Sequence, residues 1–282
     1  MAMLIALVDG SLYSVSVCHY AAWIAQRAKI DVKLYHVLGR RGGGEKQDLS
    51  GSIRLGGRED LLEKLSELDA QSAKINHVRG RAILDDGREI IEAAGVSVET
   101  RLRQGDLIDT IVEKEKNAEL IVVGKRGEAA DFAKLHLGSN LERIVRASSK
   151  PVFIANREFK PVSKVLLAFD GGASSLKAVE YLAQNALCAG LPVTLVHAGN
   201  DTPAIRKSLD YAVALMARGN MVASTLIEEG RPETVFSKLV ENDGYDLVVM
   251  GAYGHSRIRT MIIGSTTSEM IRTCKVPVFI MR

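Results

Sequence analysis

Short apolar runs recur along the chain, bounded by glycine, proline or polar residues, and between them lie longer segments with apolar residues three and four apart. Leu4 to Val8 is the first such run; it ends in Asp9-Gly10-Ser11, and the segment that follows to about Lys29 places Val17, Tyr20, Ala21, Ile24 and Ala28 on one helical face. A run that is apolar without alternation predicts a strand buried on both faces, and a segment of helical spacing predicts a helix packed on it. Val32 to Leu38 predicts the next strand, with His36 near its end. Strands alternating with helices at this rhythm predict an α/β fold: open parallel sheets, helices on both faces and right-handed crossovers.

The same pattern occurs twice. Val165 to Phe169 is another apolar run, ending in Asp170-Gly171-Gly172; a helix through Leu176, Val179, Leu182, Ala183 and Ala186 follows, then a strand from Leu191 to Ala198 with His197 near its end. From Asp9 to His36 is 27 positions, and from Asp170 to His197 is also 27. Gly105-Asp106 after Val98 to Leu102 parallels Gly230-Arg231 after Val222 to Ile227. AELIVVGKRG (118–127) parallels YDLVVMGAYG (245–254), and GSNLERIVRASSKPVFI (138–154) parallels GSTTSEMIRTCKVPVFI (264–280). An internal duplication explains these matches, and predicts two tandem units of about five parallel strands each, 1–156 and 162–282. The polar stretch Asn156 to Ser163, with Pro161, marks the boundary. A ligand of such sheets lies outside the carboxyl ends of the strands where the winding reverses. Asp9, His36, Gly105, Gly124 and their counterparts all fall at or just after strand ends.

The halves differ in one large way. His36 to Gly105 spans 69 positions and His197 to Gly230 spans 33, an excess of 36 that defines an insert at about 39–96. Gly39 to Gly57 holds seven glycines among polar residues. From Arg58 onward, Leu61, Leu62, Leu65, Leu68, Ile75 and Val78 predict a long amphipathic helix, with Gly80 and Gly87 as candidate breaks. Two readings stand: a lid or partner surface in which Arg40 and Arg41 reach phosphates, or a surface loop leading into a longer packing helix.

The candidate chemistry concentrates in Asp246 to Arg272. Leu247 to Met250 predicts a buried strand, Gly251 and Gly254 a loop, and Gly264, Ser265 and Thr266 the start of a helix through Met270 and Ile271. Glycines let backbone N–H groups approach phosphate oxygens, and the first turn of a helix offers unpaired N–H groups with a favourable dipole. Ser265 and Thr266 add hydroxyl donors. The plainer reading is that the glycines turn the chain and Ser265 or Thr266 caps the helix.

The spacing G-x2-G-x9-G-[S/T] resembles the ATP-binding motif of the universal stress protein family, with Gly251, Gly254, Gly264 and Ser265 in register. With the duplication, the whole chain resembles a tandem member of that family, two units with the adenine nucleotide alpha hydrolase-like fold. The resemblance implies ATP as the ligand, with Mg2+ as its companion left open. It implies that Asp170 and Asp9 act at the nucleoside end, that the backbones of Ala198 and Val37 contact adenine, and that Ala168, Met250 and Val123 line the nucleoside pocket. It implies a phosphate cradle from Gly251, Gly254, His255, Gly264, Ser265 and Thr266, and in the first half from Gly124, Gly127, Gly138, Ser139 and Asn140. There the spacing is ten residues where the motif has nine, and Lys125, Arg126, Lys134 and His136 keep the loop cationic. The family also implies that the last strands, Val152 to Ala155 and Val276 to Met281, pair as in a dimer of units. Further association of two chains, and an unidentified protein partner, are left open.

Composition narrows the remaining classes. The formal charge of +3, from 37 basic and 34 acidic residues, and 5% aromatics give no pull toward nucleic acid and no stacking platform for single strands. Cys18, Cys188 and Cys274 are far apart with no C-x-x-C pair, which predicts packing thiols in a cytoplasmic protein. No stretch approaches the roughly 20 apolar residues of a membrane span. The sequence lacks G-x4-G-K-[S/T], G-x-S-x-G and a metal-ligand cluster, and no catalytic residue is singled out; His36 and His197 read as structural. The expected function is an ATP-binding stress-response or regulatory module with at most slow hydrolysis. The alternatives are an ATP-using adenylating or hydrolytic enzyme of related fold and a nucleotide-free scaffold.

Overall fold

The computed structural model describes residues 2–39, 55–127, 139–252 and 264–282, with residues 55–62 and 139 described by backbone alone. In chain order the elements are β1 (Met3–Leu7), α1 (Ser14–Ala28), β2 (Asp31–Gly39), α2 (Leu55–Ala93), β3 (Val98–Gly105), α3 (Leu107–Lys114), β4 (Leu120–Gly124), α4 (Ser139–Ala147) and β5 (Val152–Ala155). Then come β6 (Val165–Ala168), α5 (Ala173–Gln184), β7 (Val193–Ala198), α6 (Pro203–Arg218), β8 (Ala223–Glu228), α7 (Pro232–Asn242), β9 (Leu247–Gly251), α8 (Ser265–Thr273) and β10 (Val278–Met281). Every strand expected from the apolar runs is present, within three residues of its expected ends.

The strands form one ten-stranded sheet in the order β3-β2-β1-β4-β5-β10-β9-β6-β7-β8. Pairing is parallel except at the centre, where β5 and β10 run antiparallel with Phe153 opposite Phe279. The winding therefore reverses twice, between β1 and β4 and between β6 and β9. The central strands β1, β4, β5, β6, β9 and β10 lie between two layers of helices, which is why their sequences are apolar throughout. Leu4, Phe153, Val165 and Phe279 share the core on one face of the sheet, and Ile5, Ile154, Leu166 and Ile280 share the core on the other. Each core runs without interruption across the central antiparallel pair.

The connection between the halves is pinned rather than loose. Ser16 Oγ donates to the Asn156 carbonyl, Tyr20 Oη donates to Asn156 Oδ1 at 3.1 Å, and Phe159 packs edge-on against the Tyr20 ring at 4.8 Å. Polar composition marked this stretch as a boundary because its backbone runs over the surface. Two side chains of α1 nevertheless hold it there.

The largest departure from expectation is α2, which runs unbroken through Gly80 and Gly87. A methyl group on Gly80 would sit 2.7 Å from Leu102 Cδ1 and 2.9 Å from His36 Cδ2; one on Gly87 would sit 2.6 Å from Leu34 Cδ2 and 3.0 Å from Cys18 Sγ. Both glycines lie on the face that meets β2, so they bring the helix close to the sheet, and tertiary packing outweighs their poor helix propensity. Gly87→Ala should gain about 1 kcal/mol of helix propensity but incur about 1–3 kcal/mol of overpacking, because Leu34 and Cys18 are themselves fully buried. A lower midpoint in urea unfolding is the expected result; a raised midpoint would contradict the close-approach role.

All three cysteines are buried, and desolvation pushes the thiols of Cys18 and Cys188 up to about 12 and raises that of Cys274. They pack as small apolar groups.

Candidate functional site

The carboxyl ends of β6, β7 and β9 open into a cleft at the second reversal of the winding. Ala168 and Asp170 reach it from the end of β6, Ala198 from β7, Met250 and Gly251 from β9, and Thr266 from the start of α8. Residues almost a hundred positions apart thus meet because the crossover helices return each strand to the same edge. Of the residues expected in the second half, these six line the cleft. Gly264 and Ser265 open α8 beside it, Ser265 exposed. Gly254, His255, Arg257 and Arg259 lie outside the described residues.

Asp170 is half-buried and held by its own turn. Its Oδ1 accepts from the Gly172 N–H at 2.8 Å and from Ser175 Oγ at 2.7 Å, so the carboxylate orientation is set by two donors. Asp9 is held in the same way in the first half, its Oδ1 accepting from the Ser11 N–H at 3.0 Å and from Ser14 Oγ at 3.4 Å. Ser14 and Ser175 are therefore part of the repeat. Sequence reading overlooked them, although Asp-x4-Ser occurs at both places and would have shown it.

His197 Nδ1 lies 3.0 Å from the Phe169 carbonyl oxygen, and His36 Nδ1 lies 2.8 Å from that of Val8. A carbonyl only accepts, so Nδ1 is the donor in both rings. Each histidine clamps the end of one strand to the loop of the next, which agrees with the structural role read from the sequence.

Two contacts bring the cleft walls together. A methyl group on Gly251 would stand 2.2 Å from Ser174 Oγ, 2.7 Å from its Cβ and 3.1 Å from its backbone carbon. That glycine is needed because α5 begins directly against β9. Ser174 Oγ is buried with no hydrogen-bond partner among the described residues. Thr267 is buried and donates to the carbonyls of Gly251 at 3.2 Å or Ala252 at 3.4 Å, which ties the first turn of α8 to the end of β9. Gly264 is the N-cap of α8, and among the described residues no side chain caps the helix or accepts from its first N–H groups.

Pro232 and Phe236 of α7 complete the wall, Phe236 being 4% exposed. The sequence marked Gly230-Arg231 as the counterpart of Gly105-Asp106 and gave no signal that an aromatic ring from the following helix would turn toward the cleft.

In the first half, a methyl group on Gly124 would approach Tyr13 Cβ at 2.7 Å, matching Gly251 and Ser174, and one on Gly127 would meet Asp9 Oδ2 at 2.7 Å. Val37 and Val123 sit near the ends of β2 and β4, Ser139 begins α4, and Asn140 is exposed. Lys125 does not serve a cationic loop: its Nζ donates to the Cys274 carbonyl at 2.7 Å, across to the second half, and burial lowers its pKa. Gly138, Lys134, His136, Arg40 and Arg41 lie outside the described residues. The insert changes this half as well, because Ile83 of α2 comes within 2.6 Å of the place a Cβ on Gly10 would take.

An open, mostly parallel α/β sheet with a cleft at its switch point, floored by glycine and headed by a helix N-terminus, has the layout in which open α/β folds place ligands. The model of the universal stress protein family matches residues 3–156 and 201–282, and the chain belongs to that family. It is 36% identical over 279 residues to universal stress protein Slr1230 of Synechocystis, with 97% of each chain covered. It is 26% identical over 229 residues to universal stress protein Rv2005c of Mycobacterium tuberculosis, covering 70% of this chain and 77% of that one. Among solved structures, a universal stress protein from Archaeoglobus fulgidus superposes with a TM-score of 0.72 at 24% identity, covering 99% of this chain and 98% of that one. No helix among the described residues is long and apolar enough to cross a membrane.

Proposed function

We propose that the chain binds ATP in the cleft between β6, β7, β9 and α8, and acts in the cytoplasm as a nucleotide-dependent stress-response or regulatory module. The observation that carries this reading is the convergence of Ala168, Asp170, Ala198, Met250, Gly251 and Thr266 on one cleft. Apolar walls from Ala168, Met250 and Phe236 suit the flat, weakly polar faces of adenine. Asp170 accepts from a ribose hydroxyl; next to phosphates the same carboxylate would be repelled. Gly251, Gly264 and the first amides of α8 face the phosphates, where unpaired N–H groups and the helix dipole favour negative charge. Magnesium enters as the counter-ion of the polyphosphate.

In this reading 1–156 and 162–282 are two nucleotide units of unequal strength. The first is weaker because its motif carries an extra residue and because α2 crowds the Gly10 turn. The test is mass spectrometry of whatever nucleotide the purified chain releases on denaturation. Intact ATP is expected; AMP with a covalent adduct would favour an adenylating enzyme, and an empty chain that also fails to bind added ATP would favour a scaffold.

A further inference from the structure

α8 heads the cleft of the second half with its N-terminus, and its other end is held by the first half. The helix has nine residues, about 13 Å, fewer than a helix needs to stand alone, so contacts from outside fix where it points. At the front, the Gly264 N–H donates to the Ala252 carbonyl at 3.3 Å, and Thr267 reaches the end of β9. At the back, Lys125 Nζ donates to the Cys274 carbonyl at 2.7 Å and Asn156 Nδ2 to the Lys275 carbonyl at 3.3 Å. Among the described residues these are the two side chains from outside α8 that reach the carbonyls at its end, and both come from the first half.

Lys125 brings a charge as well as a hydrogen bond. The cations of α8's own last turn are engaged with acids, Arg272 with Glu269 and Lys275 with Glu241. Lys125 forms no ion pair among the described residues, and its ammonium is partly buried against the helix end. A cation there meets the negative end of the helix dipole, an interaction that partial burial strengthens.

α4, the equivalent helix of the first half, is gripped in the same manner from a different position. The counterpart of Lys125 is Ala252, which has no group to give. Arg282 takes over, its Nη1 donating to the carbonyls of Val145 at 2.9 Å, Ser148 at 2.5 Å and Arg146. Lys125 directly follows Gly124 of β4, and Arg282 directly follows Met281, which is level with Gly251 in the sheet. Each helix thus starts at the strand ends of its own half and stops at a cation from the strand ends of the other.

We propose that Lys125 is a positioning residue for the second cleft: by holding the carboxyl end of α8 it keeps the amides at the opposite end aimed at the phosphates, so the first half completes the site. The inference rests on the ATP reading of that cleft. Lys125 touches no ligand, and a short helix released at one end turns at the other, where hydrogen bonds weaken steeply with distance and angle. The effect falls on the phosphates and spares the nucleoside, whose side of the cleft comes from β6, β7 and α7.

Two measurements on the full chain test this, with Lys125→Met keeping the stem and removing the ammonium. In the nucleotide-free chain, hydrogen exchange at the last turn of α8 should quicken about tenfold while the central strands keep their protection. The tighter ATP site, the one that Gly264→Glu removes, should weaken about three- to tenfold with adenosine binding unchanged. Lys125→Arg restores a cation and a donor and should recover most of both. Unchanged exchange in α8, unchanged ATP affinity, an equal loss of ATP and adenosine, or a loss that Lys125→Arg does not recover would overturn the inference and leave the ATP reading standing. A native chain that binds no ATP would overturn both.

Discussion

Asp170→Ala is expected to weaken ATP and adenosine alike, by about 1.5–3 kcal/mol, or roughly ten- to a hundredfold in Kd. The carboxylate sits on the strand-end turn that lines the cleft, and in the proposed pose its partner is the ribose, so the loss should be independent of the phosphates. The substitution also leaves the Gly172 N–H without its acceptor and Ser175 Oγ with only the Gly172 carbonyl, which adds a stability cost that must be separated from binding. Ser175→Ala makes that separation: it keeps the carboxylate but removes one of the donors that orient it, and should cost less affinity than Asp170→Ala. If ATP affinity falls while adenosine affinity does not, the aspartate acts at the phosphates through a metal and the orientation of the nucleotide is reversed.

Gly251→Ala should lower stability and ATP affinity together. The added methyl meets three atoms of Ser174 at once, one of them backbone, so the first turn of α5 must move away from β9. Overpacking of this kind costs about 1–3 kcal/mol. The shift is transmitted to Ser175 in the same turn and through it to Asp170. Gly251→Ala combined with Ser174→Gly removes the Ser174 side-chain contacts and leaves only the one with its backbone, so it should recover much of both losses. Measured by urea unfolding and ATP titration, a Gly251→Ala chain as stable and as tight as the native one would show that the close approach of α5 to β9 is not needed.

The parts of this architecture that were legible in the sequence are those set by local patterning. The buried strands announced themselves because helices cover both faces of the sheet and leave no position for alternation. The equal spacing from Asp9 to His36 and from Asp170 to His197 revealed the repeat, and the structure gives each pair the same hydrogen bonds. The glycine spacing located the mouth of the second cleft. What escaped was set by contacts between distant segments. Gly80 and Gly87 read as candidate breaks in the helix because their use, fitting α2 onto Leu34, Leu102 and Cys18, exists only in the fold. Lys125 read as part of a cationic loop because its sequence neighbours are cationic, whereas its ammonium group reaches a carbonyl in the other half. Phe236 was invisible as a wall of the cleft for the same reason: helical spacing says that it is buried, and only the packing of α7 says against what.

The central claim is that ATP occupies the cleft headed by α8, and calorimetric titration of ATP with magnesium into the full chain tests it most directly. The account predicts a saturable heat with one tighter site that Gly264→Glu removes, because a carboxylate at the helix N-cap stands where the phosphates are to lie. The same occupancy should stabilise the native chain by about 2.7 kcal/mol at a hundredfold excess over Kd. A titration without heat, on a chain whose melting temperature ATP leaves unchanged, would contradict it.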